Sequence, residues 1–327
     1  MKSKILKWSV RIIIALILLV LIVLSGFALV ERITFLSFYS GADPFEDIPG
    51  LWEGYIPQGY IDVDDTDMRL ACGYMKDGEA SRIYVLKDGE EAAAVIMKNA
   101  DGSDYTGHTG SLDVLGDYVY VTGKTGCDIF SLSDITDGDG IATQTDSVAT
   151  INDPAYLVIK DNKLYTGSFY HEGDYETPSE HRMTTPAGDS NTAIISVYSL
   201  DPETGKTLSD IPELIISTPS FAQGMTFIDD STVAIATSYG LSKSHILIYD
   251  LNKAVPTDGA CFSFDGNDIP LIYLDSHSLT RDIVAPPMAE QIFYSDGRIY
   301  IMNESASMKY LFGKLTSGNR VYCYKYL

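Results

Sequence analysis

One segment of this chain occurs twice. "IPQGYIDVDDTDMRLACGYM", residues 56–75, returns about 165 residues later, in ungapped register, as "FAQGMTFIDDSTVAIATSYG", residues 221–240. Each copy reads as a strand, an Asp-Asp turn, a second strand and a loop. A third strand follows at nearly the same offset, "SRIYVLKD" from Ser81 and "SHILIYDL" from Ser244. Repetition at this length points to a modular architecture rather than to one irregular core.

The same syntax recurs in "HTGSLDVLGDYVYVTGKTGCDIFSL", in "PAYLVIKDNKLYTGSFY" leading to "TAIISVYSL", and in "EQIFYSDGRIYIMNES" leading to "NRVYCYKYL", which makes five units. Each has a tight polar turn between its first two strands: Asp64-Asp65, Gly116-Asp117, Asp161-Asn162, Asp229-Asp230 and Asp296-Gly297. Antiparallel hairpins require such turns. Fourth strands are expected in "EAAAVIMKN" for the first unit and "CFSFDG" for the fourth. Short Val-, Ile-, Tyr- and Thr-rich runs between Gly, Asp and Asn, without helical periodicity, mark an all-β domain. Four-stranded sheets repeated every forty to sixty residues or so are the blades of a β-propeller, and the expectation is five of them. A β-sandwich would make five near-equivalent units a coincidence. The fifth unit lacks its outermost strand unless the segment before residue 56 supplies it.

Ahead of the repeats, residues 1–11 carry Lys2, Lys4, Lys7 and Arg11 and no acid, and residues 12–30, "IIIALILLVLIVLSGFALV", are apolar or small. That run is long enough to span a bilayer, and "SGFALVER" is a weak cleavage site, so an uncleaved signal anchor is expected rather than a signal peptide. The positive-inside rule leaves the basic end in the cytoplasm and the rest of the chain outside. Residues 31–55 read as a linker and residues 56–327 as the propeller. The protein has 23 Lys and Arg against 45 Asp and Glu, a formal charge of -22, which argues against nucleic acid as a partner. Anionic headgroups would repel such a surface, so the helix must make the membrane contact. Cationic and neutral ligands stay open. Cys72, Cys127, Cys261 and Cys323 are too scattered for a disulfide scaffold and form no Cys-x-x-Cys pair. They read as buried thiols, with a Cys72 to Cys127 bridge between neighbouring blades left open.

The elements "IPQG", "GHTGSLDVLGDYVYVTG", "FAQGM" and "PPMAEQIFYSDGRIYIMNESASMKY" resemble a group of secreted or membrane-anchored bacterial propeller proteins with PQG, GH-x-G, QG and ES-x-x-x-KY signatures. The resemblance covers nearly all of residues 56–327. It implies the fold and carries no catalytic residues over. More distantly the architecture is similar to the calcium-dependent gluconolactonase and arylesterase propellers, whose Glu, Asn and Asp ligand pattern does not align here. Fold likeness does not assign an activity.

In a propeller the first strand of each blade lines the central channel. Aligning the five units places Gln58, His108, Asp153, Gln223 and Glu290 at the start of that strand, to within one position. Such a ring suits a hard cation such as calcium, or a polar ligand such as a sugar. Buried filler with ordered water explains it as well. Gly59, Gly110 and Gly224 follow where backbones crowd the axis. His108 titrates nearest neutrality and would be the base of an enzyme, yet no nucleophile stands beside it. Two enlarged loops share the ring's face: residues 169–192, with His171 and His181, and the loop carrying Glu304, Lys309 and Tyr310. The histidine spacing does not fit zinc, and "DITDGDGI" lacks the alternation and terminal Glu of an EF-hand. The expected function is capture of a small polar ligand or an envelope protein at this mouth. The alternatives are a calcium-assisted hydrolase or lyase acting on a sugar, lactone or ester, and a structural part of an envelope complex.

Overall fold

The structure is a computed structural model that describes residues 2–64, 66–256, 259–310, 313 and 318–326. Asp65 of the first Asp-Asp turn lies outside the described residues. The N-terminal helix, Lys2–Thr34, is apolar on every side, and none of its most apolar window is buried against protein. A helix apolar all round needs an apolar solvent, and this one is long and apolar enough to cross a membrane. It runs past the expected end of the span, and a short helix, Leu36–Gly41, follows it.

The β domain is a five-bladed propeller. The first blade holds Tyr55–Asp62, Met68–Met75, Arg82–Lys87 and Glu90–Lys98. The second holds Leu112–Leu115, Tyr118–Thr122, Gly126–Ser131 and Asp146–Ala149. Tyr156–Lys160, Lys163–Gly167, Ala193–Ser199 and Leu214–Thr218 form the third, and Ala222–Phe227, Thr232–Thr237, Ser244–Asp250 and Leu279–Ala285 the fourth. The fifth takes Ala289–Ser295, Arg298–Asn303 and Arg320–Lys325 from the C-terminal end. Its outer strand is Ala42–Asp47, paired antiparallel with Arg320–Lys325 so that Ala42 faces Tyr324. Each inner strand packs beside the next and the fifth beside the first, which closes the ring. Within the blades the turns follow their chemistry: Asp161 and Asn162 both take positive φ, as do Asp296 and Gly297, the backbone a two-residue primed turn demands.

One expectation is corrected. The segment beginning "CFSFDG" is not the fourth strand of the fourth blade, which is Leu279–Ala285. Cys261–Phe264 instead forms a hairpin with Asn267–Tyr273, and the latter pairs parallel with Leu214–Thr218 at the edge of the third blade. The apolar side of the hairpin decides this, because Phe262, Ile269 and Leu271 bury against Ile194 and Ile215. Ile141–Thr143 likewise adds a parallel fifth strand to the first blade. Both additions cover sheet edges that would otherwise expose unpaired backbone. All four cysteines are free thiols; Cys72 and Cys127 are buried on neighbouring blades and Cys323 is buried too, whereas Cys261, expected to be buried, is exposed at the start of the hairpin.

Candidate functional site

Inner strands of three blades bulge at the same place. Pro57 and Gly59 pair with Gly73 and Cys72 and leave Gln58 over; Ala222 and Gly224 leave Gln223 over; the ladder of the fifth blade skips from Ala289 to Ile292 across Glu290 and Gln291. A bulge turns the extra side chain away from the alternation of the strand, here towards the upper mouth, where the inner strands begin and second strands join third. Gln291 does the opposite. It occupies the repeat position held by Gly59 and Gly224, and its side chain closes the channel. Its Oε1 accepts from Tyr60 N at 3.2 Å and Leu112 N at 3.1 Å, while its Nε2 donates to Leu112 O at 2.7 Å. The space exists because Gly59 has no Cβ: one placed there would lie 2.4 Å from Gln291 Oε1 and 2.6 Å from Cys72 Sγ.

Above that plug lies a pair of carboxyl groups. Glu290 lies in the inner strand of the fifth blade and Glu304 opens the short 3-10 turn after the second: Ala289 pairs with Asn303, and Glu304 N donates to Met288 O at 2.9 Å. Asn303 and Ser305 hold the turn by donating to Pro287 O at 3.2 and 3.0 Å. Glu304 accepts from the Tyr74 hydroxyl at 2.9 Å and the Tyr310 hydroxyl at 3.3 Å. The Gln58 amide donates to Pro57 O at 3.0 Å and lies near enough to Glu304 to favour its charge. Glu290 is only 3% exposed, and no hydrogen bond reaches its carboxyl among the described residues. Burial, then the charge of Glu304, pushes the pKa of Glu290 well above the ordinary glutamate value. Desolvation raises Glu304 too, against the lowering pull of Tyr74, Lys309, Tyr310 and Gln58. Two such carboxyls share protons rather than ionise independently.

His108 lies flat on Tyr74, ring centroids 4.6 Å apart. The ring is exposed to solvent on one side, with protein close on the other. That partial desolvation, then the charge of Lys309, lowers its pKa. Lys309 Nζ donates to the Tyr74 hydroxyl at 2.8 Å and stands 5.2 and 5.0 Å from the Tyr74 and Tyr310 ring centroids. The structure thus brings together Gln58, His108, Glu290 and Glu304.

The other expected residues lie elsewhere. His171 stacks on Tyr239, centroids 3.9 Å apart, within an aromatic patch that includes Phe169, Tyr175 and Phe221. Its Nδ1 is 3.3 Å from Asp174 Oδ2 without the alignment of a hydrogen bond. Gln223 is half-buried between this patch and Gly224. Asp153 is exposed and close enough to His181 to act on its charge. Its neighbour Asn152 is buried instead and donates to Thr166 O at 3.0 Å and to Ser168 Oγ at 3.2 Å. Tyr74 and Tyr239 were missed from the sequence, although they are the same position of the two repeat copies. Each stacks on a histidine, and each phenol donates to a carboxylate, Tyr239 to Asp174 at 3.2 Å.

At the lower mouth, below Gln291, a cavity of about 550 Å³ is lined by Asp62, Asp67, Arg69, Asp113, Lys160 and Phe227 among others. None of the expected site residues reaches it. Asp113 accepts from Ile159 N at 2.6 Å and Val114 N at 2.8 Å, and its burial pushes it up to about 7. Calcium takes six to eight oxygens. Among the described residues no three His, Cys, Asp or Glu side chains gather as a metal set, and at the upper mouth Lys309 already supplies a positive charge beside Glu304, so the donors present do not fit that ion.

No family model and no curated protein matches the chain. Among solved structures it is similar to the PQQ-bound aldose sugar dehydrogenase of Streptomyces coelicolor, at 12% identity over 87% of this chain and 97% of that one, with a TM-score of 0.47. It is also similar to the RS223 β-xylosidase, at 12% identity over 86% and 94%, TM-score 0.45. A glutaminyl cyclase of Myxococcus xanthus is similar at 10% identity over 80% and 90%, TM-score 0.38. None of these values ties the chain to an activity.

Proposed function

We propose that this protein is a membrane-anchored, extracytoplasmic propeller that captures a small polar ligand, free or displayed by an envelope protein, at its upper mouth. The observation that carries the reading is Glu290: a carboxyl 3% exposed that has no hydrogen-bond donor among the described residues, set beside the half-buried Glu304, which has several. A ligand that donates to Glu290 makes the bond that those residues do not. Gln58, Tyr74, His108 and Tyr310 complete the rim. The basic residues before the apolar helix support a cytoplasmic N-terminus and an external propeller.

The test uses the full chain in detergent, carrying Gln58→Ala, His108→Ala and Glu290→Ala together, beside a milder Tyr74→Phe, Glu290→Gln variant. Both are immobilised against solubilised envelope extract and its small-molecule fraction. Folded variants, checked by circular dichroism, are expected to lose what the wild type retains, and full retention by either would sink the site. A second reading has its own support in the same pair. Two carboxyls whose environment favours holding a proton form an acid and base couple, the arrangement a hydrolase or lyase acting on a sugar, lactone or ester needs. Turnover of chromogenic glycosides, lactones or esters that disappears in Glu290→Gln would favour it.

A further inference from the structure

The long loop of the third blade has two halves. Residues 169–176 carry the aromatic patch; residues 177–192 form a strap against the hairpin of Cys261–Phe264 and Asn267–Tyr273. The far root of the strap is tied by hydrogen bonds. Asn191 Nδ2 donates to Ser217 Oγ at 2.9 Å and to Leu274 O at 3.0 Å, and Asp189 Oδ2 accepts from Ser276 N at 2.7 Å. That last bond holds the Asp189 carboxyl below the ordinary aspartate range, so the root stays tied in mild acid. The near root rests on packing. The His181 and Phe262 ring centroids are 5.9 Å apart, and Met183 packs on the cluster of Phe262, Ile269, Leu271, Ile194 and Ile215.

His181 is an unusual residue to find in that position. It is 3% exposed, and its Nδ1 has no hydrogen-bond partner among the described residues. A neutral imidazole leaves one ring nitrogen unmet there. An imidazolium would bring a full charge to the same place, which is far more costly to bury. The charged groups around it come from two elements besides the apolar face of the hairpin. On its own turn Glu180 is exposed, and Arg182 turns away to Glu176 and the ring of Tyr170; on the loop entering the third blade stands the exposed Asp153. Desolvation lowers the pKa of His181 and outweighs the raising pull of Glu180 and Asp153. His171, in the other half of the loop, differs: Asp174 Oδ2 lies 3.3 Å from its Nδ1, so a proton there meets a carboxylate.

We propose that residues 178–184 are an acid-released strap: a proton on His181 lifts them from the hairpin and uncovers Met183 and Phe262, while residues 189–192 stay bonded and act as the hinge. The sign follows from linkage. In the open strap the imidazole is hydrated and takes the ordinary histidine value of about 6.5, above its value in the closed one. The open form therefore binds the proton, and closure weakens as pH falls below that value. Above it both forms are neutral and the strap stays shut. The device does not depend on what the upper mouth binds.

Hydrogen exchange of the full chain in detergent tests it at about pH 5.5 and about pH 7.5, with intrinsic exchange rates divided out. The opening constant of residues 178–184 should be up to about tenfold larger at the lower pH, with residues 189–192 and the inner strands unchanged. Hydroxyl-radical labelling of Met183 and Phe262 should rise over the same interval. His181→Phe keeps a ring against Phe262 and cannot titrate, so its strap should stay closed at both pH values. A measurement that needs no variant is exchange of the imidazole C2 hydrogen, read by mass spectrometry, in which His181 should titrate below the ordinary histidine value. Equal protection of residues 178–184 at both pH values would overturn the proposal. So would an acid loss that persists in folded His181→Phe, or a His181 that titrates at or above the ordinary value.

Discussion

Gly59 and Gln291 are two versions of one repeat position, and the channel is closed because they differ. Where the first blade has no side chain, the fifth sends an amide across the axis to satisfy the backbone of the first and second blades. A methyl group at Gly59 would collide with Gln291 Oε1, Cys72 Sγ and Leu112 Cδ2 at 2.4, 2.6 and 2.8 Å. Gly59→Ala is therefore expected to destabilise the domain by about 1–3 kcal/mol, measured by denaturant unfolding, through overpacking. Gln291→Ala should cost a similar amount by orphaning the Tyr60 and Leu112 amides, and the double variant should lose clearly less than the sum. Additive losses would mean the two residues do not compete for one space. Glu290 leads to a prediction of a different kind. Its folded-state pKa lies above the ordinary 4.5, so the folded chain keeps a proton the unfolded chain has lost. That contribution is complete below the unfolded value and disappears as pH rises through the folded one. The thermal midpoint should fall across this window, and Glu290→Gln should flatten the fall and leave the variant the more stable form at alkaline pH. A wild-type midpoint that climbs with pH, with an unchanged slope in the variant, would refute the buried-pair description. At this scale the sequence was half legible. Gln58 and Glu290 stood out as polar residues at a strand start, but Gln291 could not, since a plug is recognisable only from what it reaches across the ring. Glu290 and Glu304 meet through strand pairing, which no spacing along the chain reveals.

Elements were easier to read than residues, because hairpin turns and period-two strands are local signals, whereas the allocation of outer strands is decided by what they pack on. The strands of "CFSFDG" and of Leu279–Ala285 both carry strand composition; only the fit of Phe262 against Ile194 and Ile215 sends the former to the third blade. The anchor shows the same logic. Its last turns run directly into the helix Leu36–Gly41, and that helix is fixed to the fifth blade by Phe38, 1% exposed and 5.8 and 5.9 Å from the Tyr324 and Tyr322 ring centroids. Arg32 stands over Tyr39 at 3.9 Å. The outer strand Ala42–Asp47 begins one residue later, so helix, closing strand and ring form one continuous load path. Phe38→Ala should cost about 3 kcal/mol, the usual loss for a buried phenylalanine. Hydrogen exchange should accelerate most in residues 42–47 and 320–325. Uniform acceleration across all blades would instead mean that closure is not a separately weakened element.

Across the whole molecule, net charge works against the fold. The chain's formal charge of -22, more negative still over the propeller because residues 1–11 are basic, repels itself, and the ion pairs that relieve it, such as Arg320 with Asp47 at 2.8 Å or Lys160 with Asp230 at 2.9 Å, are largely exposed and weak. Screening falls from a reach of about 30 Å at 0.01 M salt to about 10 Å at 0.1 M, short enough to relieve repulsion between blades while leaving adjacent charges in contact. Raising NaCl through that range should therefore raise the thermal midpoint by a few degrees, the shift expected of about 1 kcal/mol in a domain this large. A midpoint that stays level or falls over the same range would mean that surface charge is not what limits stability.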